Sequence, residues 1–220
     1  MNIQIQPNLL WCRANDRAVF LNLTNQRYFM LQPVQATSFE KWCAGETLSA
    51  EEVDTLSMII TDRPMPKNDW RQQLQPPTHF PSPVSSSCDF PAASPYPWLV
   101  PMAFVCHGMA RIGLKMAPFS SLMRRLHDRK QTRQHVSIRW ELDRAAATFA
   151  LTTRLLRSSD RCLQTSVALT LFLAKLGHFP DLVLGVKTAP WAAHAWVQKG
   201  ILVLNDEADR VRAFAPILVI

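Results

Sequence analysis

Three residues of this 220-residue chain have the types and order for acyl chemistry on a carbonyl: Cys162, His194 and Asp206. Cys162 falls at the first turn of a predicted helix, RSSDRCLQTSVALTLFLAKLG, which starts near Ser159 or Asp160 and stops at Gly177. His194 heads the predicted strand HAWVQ (194–198), and Asp206 ends the next, ILVLND (201–206). A thiol must become a thiolate before it can attack, and a helix N-terminus favours that anion through its unpaired N–H groups and dipole. The same N–H groups can receive an oxyanion. An imidazole can carry the proton transfers, and a carboxylate can fix its tautomer and orientation.

Each residue alone has a plainer reading. Cys162 could be a buried structural thiol, His194 a polar strand end, and Asp206 a turn former after Asn205. Trp196, two residues beyond His194, shares its strand face and reads equally as a site wall or a core aromatic. What joins the three is a register argument. With a loop of Lys199-Gly200-Ile201, position 198 faces 202 and His194 comes opposite Asp206, at about 4.5–5.5 Å between Cβ atoms. A two-residue Lys199-Gly200 loop would instead pair His194 with Asn205. The reading thus requires an odd loop or a bulge, which Gly200 permits.

These strands and helices form the second half of the chain. AFVCHGMARIGLKM (103–116) and SSLMRRLHDRK (120–130), split by Pro118, read as amphipathic helices with basic faces. ELDRAAATFALTTRLLR (141–157) is a further helix, and DLVLGVKT (181–188) a strand. The first half opens differently. RAVFLNL (17–23) and QRYFML (26–31) form a hairpin about a Thr24-Asn25 turn. Pro33 opens a helix closed by Gly45, and Ser49 with Glu52 makes a capping box for a second helix reaching about Ile60. Nine of the 16 prolines lie between Arg63 and Pro97, a stretch that reads as an extended linker. The organisation is α+β, with a small module at 1–70, a linker at 71–97 and a larger domain at 98–220.

Composition excludes several alternatives. At 48% hydrophobic and 19% charged residues the chain can bury real cores, so global disorder is out. With only 6 glycines there is no G-x-G-x-x-G, and Gly108-x-x-x-x-Gly113 is followed by Leu114 rather than the lysine of a P-loop. The five cysteines, at 12, 43, 88, 106 and 162, contain no C-x-x-C pair, so a zinc site of usual spacing is absent. Their odd number and irregular spacing point to a reducing compartment. No basic and apolar signal peptide opens the chain, and the apolar run Trp98 to Cys106 is too short to span a bilayer. A soluble, cytoplasmic protein is expected. The net charge of +7 is concentrated in the second half. Its basic helices read as a solvated face or a docking surface, without the aromatic interleaving of a nucleic-acid site.

DRCLQTSVAL (160–169), LGVKTAPWAAHAWVQ (184–198) and ILVLND (201–206) together resemble the transglutaminase-like cysteine peptidases of lasso-peptide biosynthesis, the B proteins that remove the leader from a precursor peptide. V-F-L-N-L-x-x-x-x-Y-F-x-L (19–31) and the two helices after it resemble the PqqD-like leader-recognition domain, a winged-helix-like module, although Thr24-Asn25 replaces the usual T-G. The resemblance implies a fused B protein with a papain-like protease domain. It gives Cys162 as nucleophile, His194 as base and Asp206 as orienting acid, with no metal and no cofactor. It implies leader binding along the strand bearing Arg27, Tyr28, Phe29 and Met30, with Trp196 beside the site. The implied partners are the precursor peptide and an asparagine-synthetase-like cyclase that closes a lactam on the freed amine. An acyl-transferring transglutaminase and a non-catalytic peptide-binding adaptor are the competing readings.

Overall fold

The computed structural model describes residues 4–62, 69–87, 93–132, 140–156 and 161–220. Among the described residues ten short strands and seven α-helices make a mixed α+β fold in which two sheets share one hydrophobic core.

In the first half, β1 (Gln4–Ile5) is followed by an antiparallel sheet of β2 (Leu9–Ala14), β3 (Arg17–Asn22) and β4 (Arg27–Met30), in that order. The sequence suggested only the β3–β4 hairpin. LLWCRA lacks the alternation of a half-buried strand because both of its faces are covered. The turn that joins β2 to β3 is Asn15-Asp16, both at positive φ (46° and 60°), as a two-residue hairpin turn of this kind requires. Helix α1 (Pro33–Cys43) ends at Gly45 (φ 77°). Helix α2 (Ala50–Thr55) begins at the expected capping box: Glu52 N–H donates to Ser49 Oγ and Ser49 N–H donates back to Glu52 Oε2. It stops five residues short of Ile60. Leu56 and Ile59 turn inward to bury fully, and Ile60 enters β5 (Ile60–Thr61), paired with Ile5 of β1.

The three-stranded sheet is apolar on both sides. One face sets Phe20 and Phe29, stacked at 5.2 Å, against Phe39 of α1. The other presents Leu10, Val19, Leu21 and Tyr28 to the core of the second half. The proline-rich stretch is bound in as well. The Gln75 side chain bonds both the N–H and the carbonyl of Trp11. Gln198 donates to the Pro81 carbonyl at 2.7 Å. β6 (Ser85–Ser86) pairs in parallel at the edge of the larger sheet.

That sheet runs β10-β7-β8-β9-β6. Before it come α3 (Val100–Met116), α4 (Phe119–Thr132), α5 (Leu142–Leu155) and α6 (Cys162–Lys175), then β7 (Asp181–Thr188), β8 (Trp191–Lys199), β9 (Leu202–Val203), α7 (Ala208–Val211) and β10 (Ala215–Val219). Helix α6 is central. Every residue from Thr165 to Ala174 is buried, against α3, α5 and the β7–β8 face bearing Leu184, Ala195 and Val197. Strand β10 was not foreseen, since Pro216 disguises it, but Pro216 sits on an edge strand where a missing N–H costs little. Cys88 and the expected helix start at Ser159 or Asp160 lie outside the described residues.

Candidate active site

Cys162 is the first helical residue of α6, and Arg161 takes the N-cap place without a side-chain bond. The first turn of the helix directs its N–H groups to where an anion at this end would sit. The thiol faces the His194 imidazole and the backbone N–H groups of Ala195 and Leu163. Led by the imidazole, these contacts hold its pKa below the ordinary thiol value although partial burial pulls the other way.

His194 lies on β8 with 9% of its surface exposed. Its Nε2 meets Asp206 Oδ2 at 2.5 Å, which leaves Nδ1 for the thiol. Burial disfavours the imidazolium, but the bonds to Asp206 and Cys162 outweigh it and raise the pKa to about 9. Asp206 resists its own burial through His194, the N–H of Glu207 at 2.8 Å, and Arg210 at 3.6 Å, and its pKa is lowered. With the thiol's pKa lowered and the imidazole's raised, each partner favours the other's charged form, thiolate beside imidazolium.

The three residues come together as their chemistry required, but by a different route from the expected register. Gln198 pairs with Val203 and Lys199 with Leu202, so the loop is Gly200-Ile201, with Gly200 at φ 60°. In this register Asp206 has no cross-strand place opposite His194. The ladder instead ends at Leu204, whose N–H reaches the Val197 carbonyl at 2.9 Å. The chain then turns over β8, because the Asn205 side chain takes the ladder's next position: its Oδ1 accepts the Val197 N–H at 2.8 Å. That turn swings Asp206 onto the imidazole.

Asn205 also donates to Ser166 Oγ at 2.9 Å, and Ser166 donates to the Ala195 carbonyl at 2.9 Å. Ser166 stands one helical turn after Cys162 and Ala195 directly follows His194, so two short bonds lock helix, strand and Asp206 loop in one register. Sequence reasoning missed both residues. Their only signal was position, four after the cysteine and one before the aspartate.

Trp196 lies behind the imidazole, 1% exposed, its ring stacked on His194 at 6.3 Å and its Nε1 donating to Gln198 at 2.9 Å. It is held in a second cluster with Val183, Val211 and Phe214. The indole lies across Gly185, where a Cβ would come within 2.7 Å of the ring. Gly185 of the neighbouring strand β7 pairs with His194, and its missing side chain leaves the space in which the indole packs beside the imidazole.

The residues expected to hold substrate divide between the faces of β4. Phe29 points into the small core with Phe20 and Phe39. Tyr28 points the other way, against the second half of the chain, and its ring meets Trp191 at the start of β8 edge-on at 6.0 Å. Arg27 and Met30 are exposed. Among the described residues no group of His, Cys, Asp or Glu is arranged to hold a metal ion, and no helix is long and apolar enough to cross a membrane.

Neither a curated protein nor a solved structure matches the chain. A family profile does: that of the transglutaminase-like superfamily, over residues 105–219. The match runs from α3 through the last strand and takes in Cys162, His194 and Asp206, a cysteine-enzyme type of fold. The chain thus belongs to the transglutaminase-like superfamily.

Proposed function

We propose that the chain is a leader peptidase of lasso-peptide maturation, working in the cytoplasm. The PqqD-like first part holds the leader of a ribosomally made precursor, and the Cys162–His194–Asp206 triad hydrolyses the leader–core bond. The observation that carries this reading is the line of thiol, imidazole and carboxylate at the start of a buried helix, with His194 Nε2 2.5 Å from Asp206 Oδ2. The Cys162 thiolate adds to the scissile carbonyl, and first-turn N–H groups receive the oxyanion. As the C–N bond breaks, the His194 imidazolium gives its proton to the departing core amine, leaving the leader as a thioester. Neutral His194 then takes a proton from water. The hydroxide forms the new C–O bond, the C–S bond breaks, and the leader leaves as a carboxylate. Asp206 holds the ring in the required tautomer throughout.

Leader capture follows from the order β2-β3-β4. β4 is an edge strand among the described residues, so an extended leader can pair along it. Met30, Val34 and Met58, each at least 40% exposed, offer apolar contacts on the elements around that edge. The freed core amine would pass to an asparagine-synthetase-like cyclase.

The test is mass spectrometry of a synthetic lasso precursor incubated with the protein. A leader carboxylate and a core with a free amine are expected from the wild type and not from Cys162→Ala. An intact precursor contradicts the reading. The superfamily also supports acyl transfer, since the same thioester could meet an amine instead of water. Adding excess putrescine separates the two, because transfer would yield a leader–putrescine amide in place of the carboxylate.

A further inference from the structure

A cavity of about 230 Å³ lies on the face of the larger sheet turned away from α6, beside the prolines of residues 76–83. Trp196 and Phe214 line it on the sheet side, and Phe80 lines it from the proline-rich stretch. Both sheet-side rings reach the catalytic imidazole, Phe214 with its centroid at 5.2 Å and Trp196 at 6.3 Å. A third contact runs through α7, whose last residue Val211 also lines the cavity and whose Arg210 stands 3.6 Å from Asp206 Oδ1. Neither Cys162 nor His194 is part of the lining, so an occupant leaves the nucleophile open. No acidic residue lines the cavity, but Arg13 and Arg212 do, with side chains 56% and 49% exposed. Their carboxylate partners, Glu40 at 3.9 Å and Asp209, lie outside the lining and are exposed. Such surface pairs are weak, so an anion in the cavity can compete for either guanidinium.

We propose that this cavity is an effector site for a small aromatic carboxylate, whose binding steadies the catalytic imidazole from behind. Size and lining supply the chemical class. A cavity of about 150 Å³ is enough for a benzene ring, so this one has room for a ring with a short acid arm. Aromatic and proline walls suit a flat apolar body, and a guanidinium offers a planar fork to a carboxylate. The coupling follows from the same walls. An occupant adds close contacts to Trp196 and Phe214 and so holds both rings against His194. Recognition strand, proline-rich stretch and triad-bearing sheet all contribute to the lining, so the site joins the parts of the chain. An effector there acts on the imidazole whichever acyl acceptor the enzyme uses.

The probes are hydrocinnamate and its uncharged counterpart hydrocinnamide. Isothermal titration calorimetry measures binding, and the rate of Cys162 alkylation by iodoacetamide at neutral pH, followed by peptide mapping, measures coupling. The wild type is expected to bind the acid with a Kd on the order of 1 mM or tighter. The amide should bind at least about fivefold more weakly. Saturating acid should speed Cys162 alkylation at least about twofold. Replacing Arg13 and Arg212 together by Ala should bring the acid down to the affinity of the amide. Ser82→Trp fills the cavity from an exposed lining position and should abolish both binding and the rate effect. Circular dichroism checks that each variant folds. No binding by the wild type, equal affinity for acid and amide, undiminished binding in folded Ser82→Trp, or saturation without a faster alkylation would each overturn the site. Neither readout uses a precursor, so the result is independent of whether the precursor is cut.

Discussion

Strand β2 and the start of α6 each hold a half-buried thiol, and both thiols act on the same tyrosine, Tyr28. Their acidities move in opposite directions. Burial alone pushes Cys12 up to about 12, whereas Cys162 falls below the ordinary thiol value although burial opposes it. The neighbours make the difference. Cys12 meets the Ala215 carbonyl at 3.9 Å, an acceptor that favours the protonated thiol. Cys162 has an imidazole and two N–H groups, all favouring the anion. Both thiols are partly buried, and what faces each sulfur sets the direction in which its acidity moves.

The contrast breaks most sharply on removal of each sulfur. Cys162→Ala should lower precursor cleavage on the order of 10⁴-fold or more, while Cys12→Ala should leave the triad working and cost only packing. His194→Ala should approach the effect of Cys162→Ala and also bring Cys162 back toward ordinary thiol acidity, seen as slower alkylation at neutral pH.

The carboxylate sharpens the comparison through pH. In the wild type, kcat/KM should rise as the Cys162 thiol ionises, below the usual thiol range, and fall as His194 loses its proton near pH 9. Asp206→Asn removes a charge that raises the imidazole's pKa, so the alkaline limb should move to lower pH. The rate should also fall, by less than on loss of Cys162. An unmoved limb would remove Asp206 from its orienting role.

Smaller effects are expected where the site is merely held. Gly185→Ala sets a Cβ against the Trp196 ring, and overpacking of this kind costs about 1–3 kcal/mol. A lower Tm together with a loss of kcat is expected, because the indole backs His194. Asn205→Ala leaves the Val197 N–H without its acceptor, a cost of about 1–3 kcal/mol. If Asn205 also steers Asp206, kcat should fall more than the loss of stability explains.

The three residues that meet at the candidate site were legible in sequence through local signatures, a cysteine opening an apolar run and a histidine and an aspartate read at strand ends, although His194 lies within β8 and Asp206 beyond β9. The register joining them was not. It depends on Asn205 replacing a ladder bond with a side-chain bond, and no periodicity records that substitution. The helices were legible through their caps and breakers, Ser49 with Glu52, Gly45 and Pro118 among them. β2 and β10 were hidden because a strand buried on both faces and an edge strand carrying proline do not alternate. Tyr28 was recognisable as a strand residue with two possible faces. Its approach to a thiol far along the chain is a tertiary fact, made by two sheets sharing one core.

The central claim is that Cys162 alone among the described thiols is made nucleophilic by its neighbours. Residue-resolved mass spectrometry of alkylation by limiting iodoacetamide, from pH 5 to 10, tests it directly. Cys162 should react first throughout the neutral range, Cys12 and Cys106 should stay unmodified until the protein unfolds, and the Cys162 advantage should vanish in His194→Ala. Labelling of Cys12 or Cys43 as fast as Cys162 at pH 7, or an advantage that survives the loss of His194, would contradict it.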